Sequence, residues 1–305
     1  MKFASIDIGS NAVRLLFCNV YEKPNGETVF KKASLIRVPL RLGEDAFMLK
    51  RISDDKCDKM VKTMRAFKEL IEVHEVLAFR ACATSAMRES ENGRELIERI
   101  KKEAGLEIEI VDGATEAEII YSNHIEEMLN PKKAYLYIDV GGGSTELTVF
   151  DNNKIVASKS FNIGTIRILQ NKVDKETWNQ MQEWIKINTE NHSPLMAIGS
   201  GGNINKLYNM TKKKEDRTIS FRKLNELYGM LNSYNYEERI KLLDLNPDRA
   251  DVIVPATEIF ITVMKTADIE RVLVPQIGMS DGIIHLLYEN YKKQNKSQEK
   301  TKFWF

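Results

Sequence analysis

YLYIDVGGGSTELTVF, Tyr135 to Phe150, joins two β-branched and aromatic runs through three consecutive glycines. The runs predict a buried strand ending at Asp139 and a second strand from Glu146 to Phe150. Between them, Gly141, Gly142 and Gly143 predict a backbone that bends sharply or lies close against a ligand. The hydroxyls of Ser144 and Thr145 follow the bend. Amides exposed at such a turn can cradle phosphate oxygens. A neighbouring carboxylate cannot usefully touch a bare phosphate, but it can hold the divalent cation that accompanies one. The turn therefore reads as a phosphate and metal site.

The same device stands at the N-terminus. Lys2 to Val20, KFASIDIGSNAVRLLFCNV, repeats a strand ending in an acid, Asp7, a turn at Gly9 and Ser10, and a returning hydrophobic strand. Either unit alone is explained by a simple glycine hairpin. The shared position of acid and hydroxyl in both predicts two similar lobes facing each other across a cleft.

The chain has 305 residues, of which 43% are hydrophobic, enough for two domains. Its formal net charge of +1 gives no global attraction for an anion, so affinity for phosphate has to come from local arginines and lysines. Neither nucleic acid nor a membrane is expected as a partner, since no run approaches the ~18 apolar residues of a membrane span. Cys18, Cys57 and Cys82 are scattered, which predicts buried thiols in a reducing cytoplasm rather than disulfides. The four histidines are too dispersed for a zinc site.

Alternating strands and helices fill the rest of the chain and predict an α/β fold of two lobes. Ile36 to Asp45 reads as a basic turn in which Arg37 and Arg41 either face a polyanion with their guanidinium forks or serve as a solvated connector. Residues 53–71 carry the spacing of an amphipathic helix beginning at a Ser53 cap. Arg88 follows the small polar turn Thr84-Ser85-Ala86-Met87, where it either points into a cleft or caps a helix. Gly113 opens a helix capped by Asp112 or Thr115, and an acid in its first turn, Glu116 or Glu118, is accounted for by the helix dipole alone. Gly199 to Asn203 is a second glycine turn between strand and helix and lacks the lysine-serine pair of a P-loop. Lys212 to Arg217 predicts a charged surface loop, and Phe303-Trp304-Phe305 end the chain as aromatics able to dock on the body or on a partner subunit, which leaves room for a homodimer.

IDIGSNAVRLLF (Ile6 to Phe17), ATSAMRESEN (Ala83 to Asn92), GATEAE (Gly113 to Glu118), IDVGGGSTEL (Ile138 to Leu147), NIGTIRI (Asn162 to Ile168) and RADVIVPA (Arg249 to Ala256) occur in that order. In this the chain resembles the exopolyphosphatase and guanosine pentaphosphate phosphohydrolase family of the acetate and sugar kinase, Hsp70 and actin superfamily. The resemblance implies two actin-like ribonuclease-H-type lobes, residues 1–125 and 126–305, with an interdomain active-site cleft and a last helix that crosses back to the first lobe. It implies hydrolysis of terminal phosphate from polyphosphate or a phosphorylated guanine nucleotide with magnesium, or manganese in its place. Glu116, Asp139 and Arg88 are the implied catalytic residues. Gly9, Ser10, Asn11, Arg14, Arg41, Gly141, Gly142, Gly143 and Ser144 are the implied phosphate ligands, and Asp7, Asp139 and Glu146 the implied metal ligands. The chain departs from the family pattern at Thr115, where a glutamate is usual, at Asn203, where threonine is usual, and at Ser280-Asp281-Gly282, where arginine-glutamate-glycine is usual. Longer members carry C-terminal helical domains, so a more open cleft is expected here. Two other readings share the superfamily: an ATP-dependent kinase or ATPase with part of an adenosine pocket at Gly199 to Asn203, and a non-catalytic phosphate sensor.

Overall fold

The structure, a computed structural model, describes residues 1–123, 130, 133–152, 154–192, 195–211 and 216–302, with side chains as far as residue 295. Most of the expected charged loop, from Lys212 to Glu215, and the aromatic end at Phe303 to Phe305 lie outside the described residues. In the first half, β1 (Lys2–Ile8), β2 (Val13–Glu22) and β3 (Thr28–Val38) precede α1 (Leu42–Leu49), α2 (Asp54–Val73), β4 (Ala78–Ala83), α3 (Ser85–Glu89), α4 (Gly93–Ala104), β5 (Glu109–Ile110) and α5 (Gly113–Tyr121). The second half begins with β6 (Ala134–Val140), β7 (Thr145–Asp151) and β8 (Lys154–Phe161), then α6 (Thr165–Leu169), α7 (Lys175–Thr189), β9 (Leu195–Ser200) and α8 (Gly202–Asn209). It continues through β10 (Thr218–Ser220), α9 (Phe221–Ser233), α10 (Tyr236–Lys241), α11 (Pro247–Ala250), α12 (Ile253–Thr266), β11 (Arg271–Leu273) and α13 (Met279–Lys302).

The two halves repeat one sheet. The first has the order β3-β2-β1-β4-β5, with β1 antiparallel to β2, β2 antiparallel to β3, and β4 parallel to β1. The second has the order β8-β7-β6-β9-β11 with the same senses, and adds β10 at its edge. β1 and β6 are buried at almost every position because both faces of each sheet are covered. On one face of the first sheet Ile6, Leu15 and Phe17 pack with Met64 and Phe67 of α2; on the other, Phe3 and Leu16 pack with Ile284 and Tyr288 of α13. Likewise Ile138 and Leu147 of the second sheet meet Leu224 of α9 and Phe260 of α12, while Tyr137 and Phe150 on the reverse face meet Ile120 of α5. Each half therefore lends a helix to the other. Among the described residues no helix is long and apolar enough to cross a membrane.

α5 and α13 meet at Gly282, where even a Cβ would stand 1.8 Å from the Ile119 carbonyl oxygen, and Ser122 Oγ donates to the Gly282 carbonyl at 2.9 Å. Asp112 is the cap that starts α5, its carboxylate accepting from the Thr115 amide at 2.8 Å. Ser53 begins α2 without capping it, because its hydroxyl donates to Asp45 instead. The expected basic turn at 36–45 is the end of β3 and the start of α1, since Leu42, Ala46 and Phe47 are buried and draw the chain into a helix. Arg41, at φ 51°, makes the corner.

Ion pairs close the halves on each other. Arg167 of α6 is 8% exposed; its Nη2 pairs with Glu89 Oε2 at 2.5 Å, its Nε donates to the Gly143 carbonyl, and its guanidinium lies 4.0 Å from the centre of the Phe47 ring. Farther out, Arg41 pairs with Asp251 at 2.6 Å and Arg37 with Asp248. Removing one partner of a buried pair leaves the other charge uncompensated. Arg167→Ala is therefore expected to lower stability by about 3 kcal/mol in chemical denaturation, with Arg167→Lys intermediate because it keeps the charge and loses the fork. A loss below about 1 kcal/mol, the worth of a surface pair, would show that this joint is held by other contacts.

Candidate active site

The two hairpins present their acids in unlike company. Residues directly opposite in an antiparallel pair share a face of the sheet. Opposite Asp7 stands Arg14, and the pair closes at 2.7 Å. Opposite Asp139 stands Glu146. The first hairpin thus neutralises its acid, whereas the second sets two carboxylates side by side, Glu146 buried and Asp139 half-buried.

The turns that follow these acids touch. A Cβ on Gly142 would lie 3.0 Å from Ser10 Cβ, and one on Gly143 would lie 2.4 Å from both Ser85 Oγ and the Phe47 ring. Gly164 is as tightly placed, 2.4 Å from the Gly142 carbonyl oxygen. Ser10 and Ser85 bridge the same junction through their hydroxyls at 2.9 Å. Side chains at Gly142 and Gly143 would wedge the halves apart, and one at Gly164 would strike the Gly142–Gly143 turn itself.

α5 brings a third acid to the pair on the second hairpin. Glu116 is buried, its Oε2 has no hydrogen-bond partner, and burial followed by the charges of Glu146, Asp139 and Asp7 pushes its carboxyl well above the usual range. Burial, then Glu146 and Asp7, raise Asp139 to about 7. Glu146 is raised by burial, against the pull of hydrogen bonds from Ser144 and Ser160; the Ser160 hydroxyl donates at 2.9 Å.

Among the described residues, no three His, Cys, Asp or Glu side chains are placed to enclose a metal ion by themselves. Asp7, Asp139 and Glu146, the metal ligands implied by the resemblance, do not enclose an ion by themselves, Asp7 having given an oxygen to Arg14. Magnesium, however, commonly takes one or two carboxylates and completes its shell with water and substrate phosphates. The unpaired negative charge on Asp139 and Glu146 fits a cation held in that way.

One cavity of about 290 Å³ is lined by Asp7, Gly9, Ser10, Asn11, Arg14, Glu116, Asp139, Gly141, Gly142, Ser144 and Glu146. Three expected residues lie outside that lining. Gly143 faces Phe47 and Ser85 and gives its carbonyl to Arg167. Arg41 is engaged by Glu44 and Asp251, both at 2.6 Å, which takes its guanidinium away from the cleft. Arg88 donates to the Val111 carbonyl at 2.7 Å and borders a separate hollow with Arg94, although its charge still lowers the pKa of both Glu116 and Glu146. The lining also includes residues to which sequence reading gave no site role: Arg249, Lys32, Ser280 and Asp281. Arg37, read both ways from sequence, lines it too. Burial and the nearness of Arg37 and Arg14 lower the Arg249 pKa, the mark of crowded positive charge. Arg249 begins the RADVIVPA stretch, which was the available signal; nothing local pointed to Lys32.

A model of the Ppx/GppA phosphatase family matches residues 20–290, beginning beyond the first turn. The placement of Asp7 and Arg14 thus rests on the geometry. The chain is 28% identical over 282 residues to a bifunctional 3-dehydroquinate synthase/phosphatase of Fusobacterium nucleatum, covering 83% of this chain and only 42% of that protein's length. It is 22% identical to exopolyphosphatase 1 of Mycobacterium bovis, covering 93% of this chain and 87% of the other. Its fold is that of an exopolyphosphatase from Cytophaga hutchinsonii, with TM-score 0.80 at 24% identity over 95% of this chain and 98% of the other. The Aquifex aeolicus member of the Ppx/GppA family gives TM-score 0.73 at 24% identity over 95% and 99%.

A carboxyl raised in the folded state supports stability below its unfolded pKa and loses that support as pH climbs through the folded value. For Asp139 the window runs from the ordinary carboxylate range to about 7. Asp139→Asn is therefore expected to melt above the unmodified protein in the absence of divalent cations, by a margin that widens from pH 5 to pH 8. Equal melting temperatures at both pH values would contradict the like-charge pair.

Proposed function

The chain belongs to the Ppx/GppA phosphatase family, and on that premise we propose that it is a magnesium-dependent phosphoanhydride hydrolase. It would release the terminal phosphate of inorganic polyphosphate, of guanosine pentaphosphate, or of both. The observation that carries this reading is Glu116, buried with an unpartnered oxygen in the cleft that Arg14 also lines. We further read the two matched sheets as actin-like ribonuclease-H-type lobes, residues 1–125 and 126–305, that exchange α5 and α13.

Phosphoryl transfer asks a protein for an in-line water, charge neutralisation and placement. Glu116 accepts the proton of the attacking water. Its raised pKa gives the ionised carboxylate a stronger hold on the proton it takes than an ordinary glutamate has. The Gly9 and Gly141 amides close their own turns on the Ala12 and Ser144 carbonyls, and the backbone amides of Ser10 and Asn11 and of Gly142 and Ser144 hold phosphoryl oxygens and strengthen their hold as charge builds there. Arg14 offsets negative charge, with Arg37 and Arg249 beside it in the cleft wall. Asp139 and Glu146 would hold the cation, with Asp7 reaching it through water; when bound, the cation neutralises charge on the phosphates flanking the scissile bond.

Glu116→Gln keeps the size of the side chain and removes the proton acceptor. Phosphate release with magnesium is expected to fall by about 10² or more while substrate affinity holds, since general base catalysis contributes 10²–10⁴. The acid limb of the unmodified protein's rate profile is expected above the ordinary carboxylate range, activity rising as Glu116 ionises. Unchanged turnover in the variant would remove Glu116 from the reaction. Binding without release in the unmodified protein would leave a sensor in place of a hydrolase.

A further inference from the structure

The register of the first sheet lays out the cleft floor in rows. Asp7, Arg14 and Arg37 stand opposite one another across β1, β2 and β3. The next row on that face is Ser5, Leu16 and Leu35, and the one after it is Phe3, Cys18 and Lys32. Strict alternation would put Ala33 rather than Lys32 on this face, but the register shifts between Phe17 and Cys18. One extra residue in a strand turns the following side chains to the opposite face. Arg37, Leu35 and Lys32 consequently line one and the same cleft.

Rows two residues apart are separated by roughly 7 Å along the strands. Over two such steps the floor passes from Arg14 and Arg37, paired with Asp7 and Asp248, to Leu35, beside a Leu16 that α13 buries, and then to Lys32, which is paired in turn. Lys32 Nζ lies 2.8 Å from Asp281 Oδ1 and donates to the Gln276 carbonyl at 3.1 Å. Ile277 and Met279, between those two partners, line the cleft as well. Leu35 is 56% exposed, and Ser5 gives its hydroxyl to the Ser280 carbonyl.

A polyphosphate carries the same charge at every step and gains from cations along its whole length. Beyond Arg37 this floor offers it one exposed aliphatic side chain, Leu35, and then a lysine paired with a carboxylate. A flat heterocycle is the better complement, its faces apolar and its edge bearing donors and acceptors for the few polar groups at the end. Resting on the hydrolase reading above, we propose that Leu35, with the Lys32–Asp281 pair behind it, determines specificity. The cleft then takes a short run of phosphates ending in a nucleoside and does not thread a long polyphosphate.

The test compares kcat/KM for phosphate release from guanosine pentaphosphate, guanosine triphosphate, tripolyphosphate and long-chain polyphosphate. The unmodified protein is expected to prefer the two nucleotides. Leu35→Lys puts a charge-assisted contact on the second row and is expected to raise long-chain polyphosphate relative to the nucleotides by about tenfold or more. Leu35→Ala is expected to lose nucleotide preference without gaining polyphosphate. Long-chain polyphosphate turned over as well as the nucleotides by the unmodified protein, or a ratio unmoved by Leu35→Lys, overturns the proposal. If no compound gives Glu116-dependent release, the hydrolase reading fails alone. Calorimetric binding of the same four compounds to the unmodified protein then decides the trough, and the same order and the same inversion are required.

Discussion

Two carboxylates, Asp139 and Glu146, stand opposite each other across one hairpin, and the cleft takes its polarity from that repulsion. The first hairpin repeats the backbone and answers its acid with Arg14 at 2.7 Å. One wall is left with surplus acid, to which Glu116 adds, and facing it Arg249 stands beside the neutralised Asp7–Arg14 and Arg37–Asp248 pairs. A phosphate chain with its cation has the matching arrangement of charge. Duplication of the hairpin therefore accounts for the frame, and the exchange of arginine for glutamate at one equivalent position accounts for the chemistry the frame can support.

Repulsion between the Asp139–Glu146 pair and Glu116 of the first half acts across the interface. It is opposed where the halves come closest, at Gly142 and Gly143, and by Arg167, which ties Glu89 of the first half to the Gly143 carbonyl of the second. These glycines serve first as spacers, because any Cβ there would strike Ser10 or Ser85. Glycine at 141 to 143 was legible in the sequence as a sharp turn, and its neighbouring acids as a site. Which glycines would face the cleft was not, since that depends on Phe47 and Ser85, far away in the chain.

The same distinction runs through the rest of the molecule. Hydrophobic runs marked the hairpin strands, and helix-start chemistry placed Glu116 in the first turn of α5, because both are written within a few residues. Arg41 and Asp251 are 210 residues apart, and so no local pattern could tell that this guanidinium holds the halves together while Arg37, four residues earlier, lines the cleft. Lys32 reached the site by a one-residue bulge. A bulge leaves no periodic trace, and strict alternation predicts the wrong side chain beyond it.

Exchange of helices adds a constraint on Glu116 itself. α5 lies on the second sheet, α13 lies on the first, and the two touch through Gly282 and the Ile119 carbonyl three residues beyond Glu116. The position of the acid is thus set by both halves at once. Asp139 and Glu146 belong to the second sheet and Arg14 to the first, so a shift of one half against the other would change the distance from Glu116 to one set or the other. A backbone contact with no side chain between allows little slack, since every displacement toward it meets the carbonyl directly. The glycine in α13 therefore contributes to the geometry of the proposed site without entering the cleft, by fixing the height of the helix that carries the acid.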